Sequence, residues 1–479
     1  MKKMKNIFKT LLFGFGLILV QSCDDELNQL PNDSLPPSSY YTNAGEFENA
    51  TRGIYSAFMG GSYYGGSMLS LPDIMSDNVI MAQQGRRSNQ SFHEWRHSPN
   101  LAWGLLYTPY VITNRANLVI TNIDNIDDGS EKNNFLGEAR ASRALAMFDM
   151  IRVYGKALTQ NGSDTSLGLP IIEGIDPNVR ALRPSVQVSY DYVVSELEAA
   201  KGLINTDNGT GRLNKDAVNA LLSRAYLYMG QYQNAITAAN AVSTTIAPIS
   251  DFPQVWVDAS ESGVIFKIDQ DRNLDGYQPG VEWSQSTANN EVIPEYVMAY
   301  GLSNLYSPND IRKSAYTSIL ADVDGDIYNA ITKMYGETGQ QNGSVDAKVI
   351  RAAEVALNKA EAHSMLGQDA DALAALDELR SNRYAGFTSG GETGAALLAE
   401  IKLQRRLELF AEGHRLFDLK RWNEGISRSA TDGELFDGAG TPVPAAFLNL
   451  NAGSDLFQMP IPQSEINVYP EFQQNPGYN

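Results

Sequence analysis

Residues 93–97 read HEWRH, placing His93 and His97 four apart with Glu94 beside the first. On a helix, two imidazoles at that spacing share a face and can hold one zinc, while the glutamate deprotonates a metal-bound water. The flanks argue against such a helix. Ser88–Ser91 and Ser98–Asn100 are turn-forming, and Pro99 follows His97 by two residues. Asn100 and Trp103 stand where the extended zinc motif needs glycine and a third histidine. The other two histidines of the chain, His363 and His414, fall in segments patterned as packed helices. A second candidate is calcium, because Asp271, Asn273, Asp275 and Glu282 occupy liganding positions of a twelve-residue loop. Strand-like residues precede that loop, and Pro279 and Gly280 interrupt it, so a solvated acidic turn is the expectation there. The same holds at the acidic turn Asp322, Asp324, Asp326. His414 and Asp418 mimic a histidine–carboxylate dyad, yet no GxSxG nucleophile exists and the single cysteine, Cys23, lies near the amino terminus. The residues therefore predict no catalytic set, no zinc and no cofactor, with calcium the one ion left open.

The elements that would carry any site are mostly helical. The 479 residues hold 37 basic and 56 acidic side chains, a formal net charge of −19. Such a surface excludes a phosphate-backbone partner and docking of the folded body on anionic lipid. Lys2, Lys3 and Lys5 followed by apolar Leu11–Val20 read as a signal peptide over 1–22, with Cys23 as the lipidated residue. Asp24, Asp25, Glu26 and the prolines that follow make 23–44 an extended tether. The rest, 45–479, reads as a single body. Helical periodicity marks 45–60, 100–250 and 346–425, and irregular sequence marks 61–99, 251–345 and 426–479. Within it, helices are expected at 46–59, 101–122, 134–154, 348–366 and 395–420, and a strand at 264–268. Segments 220–240 and 357–377 align with each other through Ala225, Gly230 and Ala235 against Ala362, Gly367 and Ala372. Each predicts a helix pair around a glycine turn, in the manner of a tetratricopeptide unit.

Four stretches carry a resemblance. FLGEARASRALAMFDMIRVYG (135–155), RRLELFAEGHRLFDLKRW (405–422), WGLLYTPYVITNRANLVI (103–120) and the tail from Met459 resemble the signature segments of the SusD/RagB family, in the right order. The lipobox-like Cys23 with its acidic run agrees. The resemblance implies a mostly α fold, SusD-like, with tetratricopeptide-like helix pairs packed beside a loop-rich ligand-binding part with few short strands. It implies an outer-membrane lipoprotein facing the cell exterior, which captures an oligosaccharide for a TonB-dependent SusC-like transporter. The alternative within the family is a peptide-binding, RagB-type protein. Outside it stand a hydrolase and a repeat scaffold without small ligand.

A sugar ligand calls for flat aromatic faces with planar polar side chains beside them. Trp103 and Trp422 border packed helices and Trp256 lies in an apolar turn, which leaves Trp95 and Trp283 as expected platforms. Asp73, Asp77, Asn78, Arg86 and Arg87 are the polar candidates near Trp95, and Tyr63 and Tyr64 sit in a glycine-rich loop expected to close over a ligand. The charged residues of the 135–155 helix, Glu138, Arg140, Arg143, Asp149 and Arg152, are expected to be paired within the structure.

Overall fold

The computed structural model describes residues 40–160, 163, 165–270, 276–286, 291–336 and 343–478. Cys23, the signal peptide, most of the tether, and Asp271, Asn273 and Asp275 lie outside these residues. Helix α1 (Ala44–Phe58) begins where the Asn43 side chain accepts from the Glu46 amide, and it buries Phe47, Ile54 and Phe58. After α2 (Ser67–Ile74), α3 (Tyr107–Asn122) starts six residues later than its pattern suggests, since 101–106 is irregular. Helix α4 (Ser130–Tyr154) is buried along most of its length. Its charges are matched as expected. Glu138 accepts from Arg212 and Asn134, Arg140 and Arg143 both reach Glu196, and Arg152 pairs with Asp149.

Helices α5 (Val186–Lys201), α6 (Lys215–Tyr228) and α7 (Tyr232–Asn240) follow. The α6–α7 turn passes through Gly230 at φ 71°, and the turn between α8 (Ala352–Met365) and α9 (Asp369–Ser381) passes through Gly367 at φ 70°. Both glycine-marked pairs are thus formed, and α8 packs against α7 as well as α9. Ala235 and Ala372, fully buried, keep the helices close. Two helical expectations need correction. Residues 347–351 form a strand rather than the first turn of a helix. The single helix over 395–420 is two, α10 (Gly394–Glu408) and α11 (Arg415–Trp422). Between them Ala411 and Gly413 take positive φ, and a Cβ on Gly413 would stand 2.1 Å from the Met68 carbonyl oxygen. The chain turns there to let α2 pass.

Strands are short. A four-stranded antiparallel sheet runs in the order β1 (Val79–Met81), β5 (Tyr296–Met298), β7 (Ile327–Ile331), β6 (Thr317–Ala321). Pairs β2 (Val264–Ile268) with β8 (Ala347–Arg351), β3 (Ser284–Ser286) with β4 (Val292–Pro294), and β9 (Ile426–Ser427) with β10 (Asn449–Leu450) complete the list among the described residues. At the β6–β7 hairpin, Asp322 accepts from the amides of Asp324 and Asp326 and from the Tyr328 hydroxyl. That carboxylate organises the turn. Buried ion pairs tie the helices to one another and to β8. Arg405 donates to Asp418, Arg421 pairs with Glu361, Arg224 pairs with Glu354, and Glu408 accepts from Arg351 and Arg383. The tail locks onto α4, as Asn475 Nδ2 donates to the carbonyls of Tyr154 and Met459.

Candidate functional site

The HEWRH segment is a single helical turn, Gln90–His93, that stops at Glu94, and Trp95 then takes φ 51°. His93 and His97 therefore do not share a helix face. His93 Nδ1 lies 2.8 Å from the Ile74 carbonyl and so carries the proton, while His97 Nε2 meets the Tyr478 hydroxyl at 2.7 Å. Burial, with Arg428 nearby, pushes the His93 imidazole down to about 3, and burial pushes His97 down to about 4. Both are neutral. The His414–Asp418 dyad is likewise unformed, because Asp418 is occupied by Arg405 and Arg421.

The two tryptophans expected as platforms are both buried. Trp95 donates its indole N–H to the Met75 carbonyl at 2.8 Å, and the Arg428 guanidinium covers its ring at 4.3 Å. Arg428 also donates to the carbonyls of Ser76 and His93, pinning 90–97 against the chain after α2. Trp283 is fully buried, and its backbone carbonyl accepts from the amides of Glu295 and Tyr296. Neither indole opens a face to solvent, so neither serves as a platform. Tyr63 and Tyr64 do not form a lid. Their rings stack at 4.5 Å, and both hydroxyls donate to Asp149 from inside the core.

Asp73, Asp77 and Asn78 form a bracket. Asn78 donates to Asp73 and accepts from Arg406 of α10, and Asp77 takes Arg415 of α11 at 2.8 Å. Burial raises Asp73 to about 6. For Asp77 burial acts in the same sense, but Arg406 and Arg415 outweigh it and bring the carboxyl to about 2. Arg86 and Arg87 are the polar candidates that stay at the surface, on the loop after β1. That loop hangs from one carboxylate. Buried Glu295, between β4 and β5, accepts from Arg86 Nε at 2.6 Å, from the Arg86 amide at 3.2 Å and from the Ser88 amide at 3.4 Å. The Tyr296 hydroxyl takes the Ser88 carbonyl, and Asn89 donates to Glu282, whose carboxyl is raised by burial. Gly85 is required, since a Cβ there would sit 2.3 Å from the Pro294 carbonyl oxygen. Replacing Glu295 with glutamine should cost about 1–3 kcal/mol and speed hydrogen exchange at the 85–89 amides while sparing those of α4. Unchanged exchange in the loop would contradict this account.

What the loop builds is a cleft of about 190 Å³. Its apolar lining is Ile80 and Met81 on the edge strand β1, with Pro442, Val443 and Pro444 opposite. Its polar lining is Gln83, Arg87, Gln90, neutral His93, Glu94 and Thr441. Arg87 donates to Gln83 at 2.6 Å, Gln90 donates to Glu94 at 2.8 Å, and Arg96 donates to the other Glu94 oxygen at 2.6 Å. Non-glycine residues at positive φ concentrate here, with Arg87, Asn89 and Trp95 among seven such residues described. Of the residues expected to meet a sugar only Arg87 lines the cleft, beside His93 and Glu94 of the HEWRH segment. Gln83, Gln90 and the 441–444 wall were missed, and the one signal for the wall is the Thr-Pro-Val-Pro turn sequence. A larger groove of about 690 Å³ lies between α5, α6 and α7. Its carboxylates are spent within the protein: Asp216 accepts from Ser243 and Thr244, and Glu198 from Lys201 and Tyr226. We place the site at the smaller cleft, which combines an apolar wall with planar polar groups.

Two family models match the chain. The one described as "SusD family" covers residues 300–478, and the one described as "Starch-binding associating with outer membrane" covers 51–227. The chain is 24% identical over 504 residues to SusD-like protein P38 of Formosa agariphila, covering 89% of this chain and 93% of that one. Its fold matches a SusD superfamily protein from Bacteroides thetaiotaomicron at TM-score 0.78 and 27% identity, over 91% of this chain and 100% of that one. A SusD superfamily protein from Bacteroides vulgatus matches at TM-score 0.78 and 25% identity, over 91% and 99%. With a model on each half, relatives spanning most of its length and the same mostly helical fold, the chain belongs to the SusD/RagB family.

Proposed function

We propose that this protein is a cell-surface lipoprotein, anchored in the outer membrane through Cys23, that captures an oligosaccharide and hands it to a TonB-dependent SusC-like transporter. The observation that carries the reading is the cleft itself. Ile80, Met81 and the prolines of 442–444 offer contact to the C–H face of a sugar ring, and Gln83, Gln90, Thr441 and Arg87 offer donors and acceptors for its hydroxyls. The description of the matched amino-terminal family model, starch-binding and outer-membrane associated, supports the same reading. Among the described residues no helix is long and apolar enough to cross a membrane.

The cleft's carboxylates support binding without turnover. Glycoside hydrolysis needs two carboxyl groups flanking the scissile bond. Glu94 is the one carboxylate lining the cleft among the described residues, and it is engaged by Gln90 and Arg96. Ligand capture is tested by screening the detergent-solubilised full chain on a glycan array and titrating hits calorimetrically. Thr441→Trp, at an exposed wall position, should weaken every hit more than about tenfold (a loss of about 1.4 kcal/mol) without lowering the melting temperature. Unchanged affinity would move the site elsewhere, and hydrolysis of a bound glycan would refute the reading. Recovery of a large channel protein on the native chain tests the hand-over.

A further inference from the structure

We propose that the cleft selects an anionic oligosaccharide, one whose sugar ring carries a carboxylate or a sulfate, and that Arg87 is the residue that reads the charge. This rests on the carbohydrate reading above and deepens it. The charge pattern is the starting observation. The chain carries 56 acidic against 37 basic side chains, yet three arginines, Arg86, Arg87 and Arg96, fall within eleven residues at this one loop. Two of them are matched: Arg86 by Glu295 and Arg96 by Glu94. Arg87 has no carboxylate within ion-pair distance among the described residues, and its partner is the neutral Gln83 amide.

The other ionisable groups lining the cleft do not cancel that charge. His93 is buried and neutral, and Glu94 is balanced by Arg96. The lining therefore carries one unmatched positive charge on a protein that is negative as a whole. Gln83 takes one hydrogen of Nη2, which leaves the other Nη2 hydrogen with its neighbour on Nε or Nη1 as a planar fork. Such a fork matches the two oxygens of a carboxylate, or two of the three on a sulfate, better than it matches single hydroxyls. The position is also fixed. Arg87 sits at φ 56° between Arg86 and Ser88, both held by Glu295, so little backbone freedom is lost on binding.

The test compares three ligands on the full chain in detergent: an oligogalacturonate, its carboxyl-reduced neutral counterpart, and a sulfated galactan oligomer, alongside the glycan array. Array hits should be confined to anionic glycans, and affinity for them should fall several-fold between about 50 and 500 mM salt. Arg87→Gln should lower affinity for an anionic hit about tenfold at unchanged melting temperature, and Arg87→Lys should recover part of it. The carboxylate and sulfate arms show which anion is read. Hits among neutral glycans, with Arg87→Gln weakening the neutral and charged versions alike, would overturn the charge proposal and leave carbohydrate capture standing. A protein that binds no glycan in any arm would overturn both.

Discussion

Glu408→Ala is expected to remove about 3–5 kcal/mol of stability, enough to threaten cooperative folding in a protein whose total is roughly 5–15 kcal/mol. Glu408 lies fully buried at the end of α10 and accepts from Arg351 at 2.8 Å and from Arg383 at 2.8 and 2.9 Å, with Arg312 at 3.5 Å. Burial opposes ionisation of this carboxyl, but the three guanidinium groups outweigh it and hold it well below the usual carboxylate range. Arg351 keeps Glu412 and Arg312 keeps Asp310 when Glu408 is lost, whereas Arg383 is left with backbone carbonyls alone. An unmatched guanidinium in the core is the main cost. Urea unfolding followed by circular dichroism measures it, and Glu408→Gln, which keeps the shape and an acceptor, should be milder. Arg52→Ala, breaking an exposed pair with Glu48, should cost less than about 0.5 kcal/mol. Similar midpoints for the two alanine variants would show that the buried network carries no special weight.

Acid should destabilise the protein from about pH 6.5 downward. In the unfolded chain an imidazole titrates near 6.5, whereas His93 and His97 are held at about 3 and about 4 in the fold. Between those values the unfolded chain binds protons that the folded one refuses. Their contribution is therefore complete above pH 6.5 and is lost as pH falls toward the folded values. At pH 4.5 each imidazole accounts for about 2–3 kcal/mol. His414, lowered by burial and by the arginines around it, acts in the same direction. Asp73 acts in the opposite one, since its folded value of about 6 lies above that of the unfolded chain and protonation favours the fold. Glu138 and Glu282, whose carboxyls burial also raises, act with Asp73 and offset part of the loss from the histidines. Asp77, at about 2, adds a further loss below about pH 3.8. The readout is the urea midpoint at pH 7.5 and pH 4.5. His97→Phe should shrink the difference, since the Tyr478 hydroxyl keeps the Gln458 carbonyl as acceptor. A midpoint independent of pH would sink the argument.

The helical frame was largely legible because burial of one face imposes a 3.6-residue period, and that period is visible in α1 and the two glycine-marked pairs. Failures occurred where the decisive contact comes from far along the chain. Ala347–Arg351 runs straight into α8, so nothing local says that β2 will pair with it. The break between α10 and α11 is fixed by the passage of α2 under Gly413, which a helical pattern does not encode. The aromatic candidates failed for a related reason. Trp95 and Trp283 have polar neighbours in sequence, but polarity of neighbours does not report solvent. Arg428 arrives over Trp95 from just past β9, far along the chain, and the Tyr63–Tyr64 hydroxyls find Asp149 on α4. One wall of the cleft lies on 441–444, a segment whose prolines announce a turn without announcing its partner. Arg87 was found because charge at a loop is a local property.

The suspension of the 85–89 loop from Glu295 separates two kinds of residue. Glu295, Tyr296, Gly85, Asn89 and Arg428 hold the loop and its neighbour in place, while Gln83, Arg87, Gln90 and Thr441 face the cleft. Exchanging members of the second group leaves the first untouched. A library randomised at those four positions should therefore yield mostly folded proteins that differ in what they hold. A lineage facing new glycans would have the same freedom, changing its diet through a few surface codons while the frame beneath stays under purifying selection.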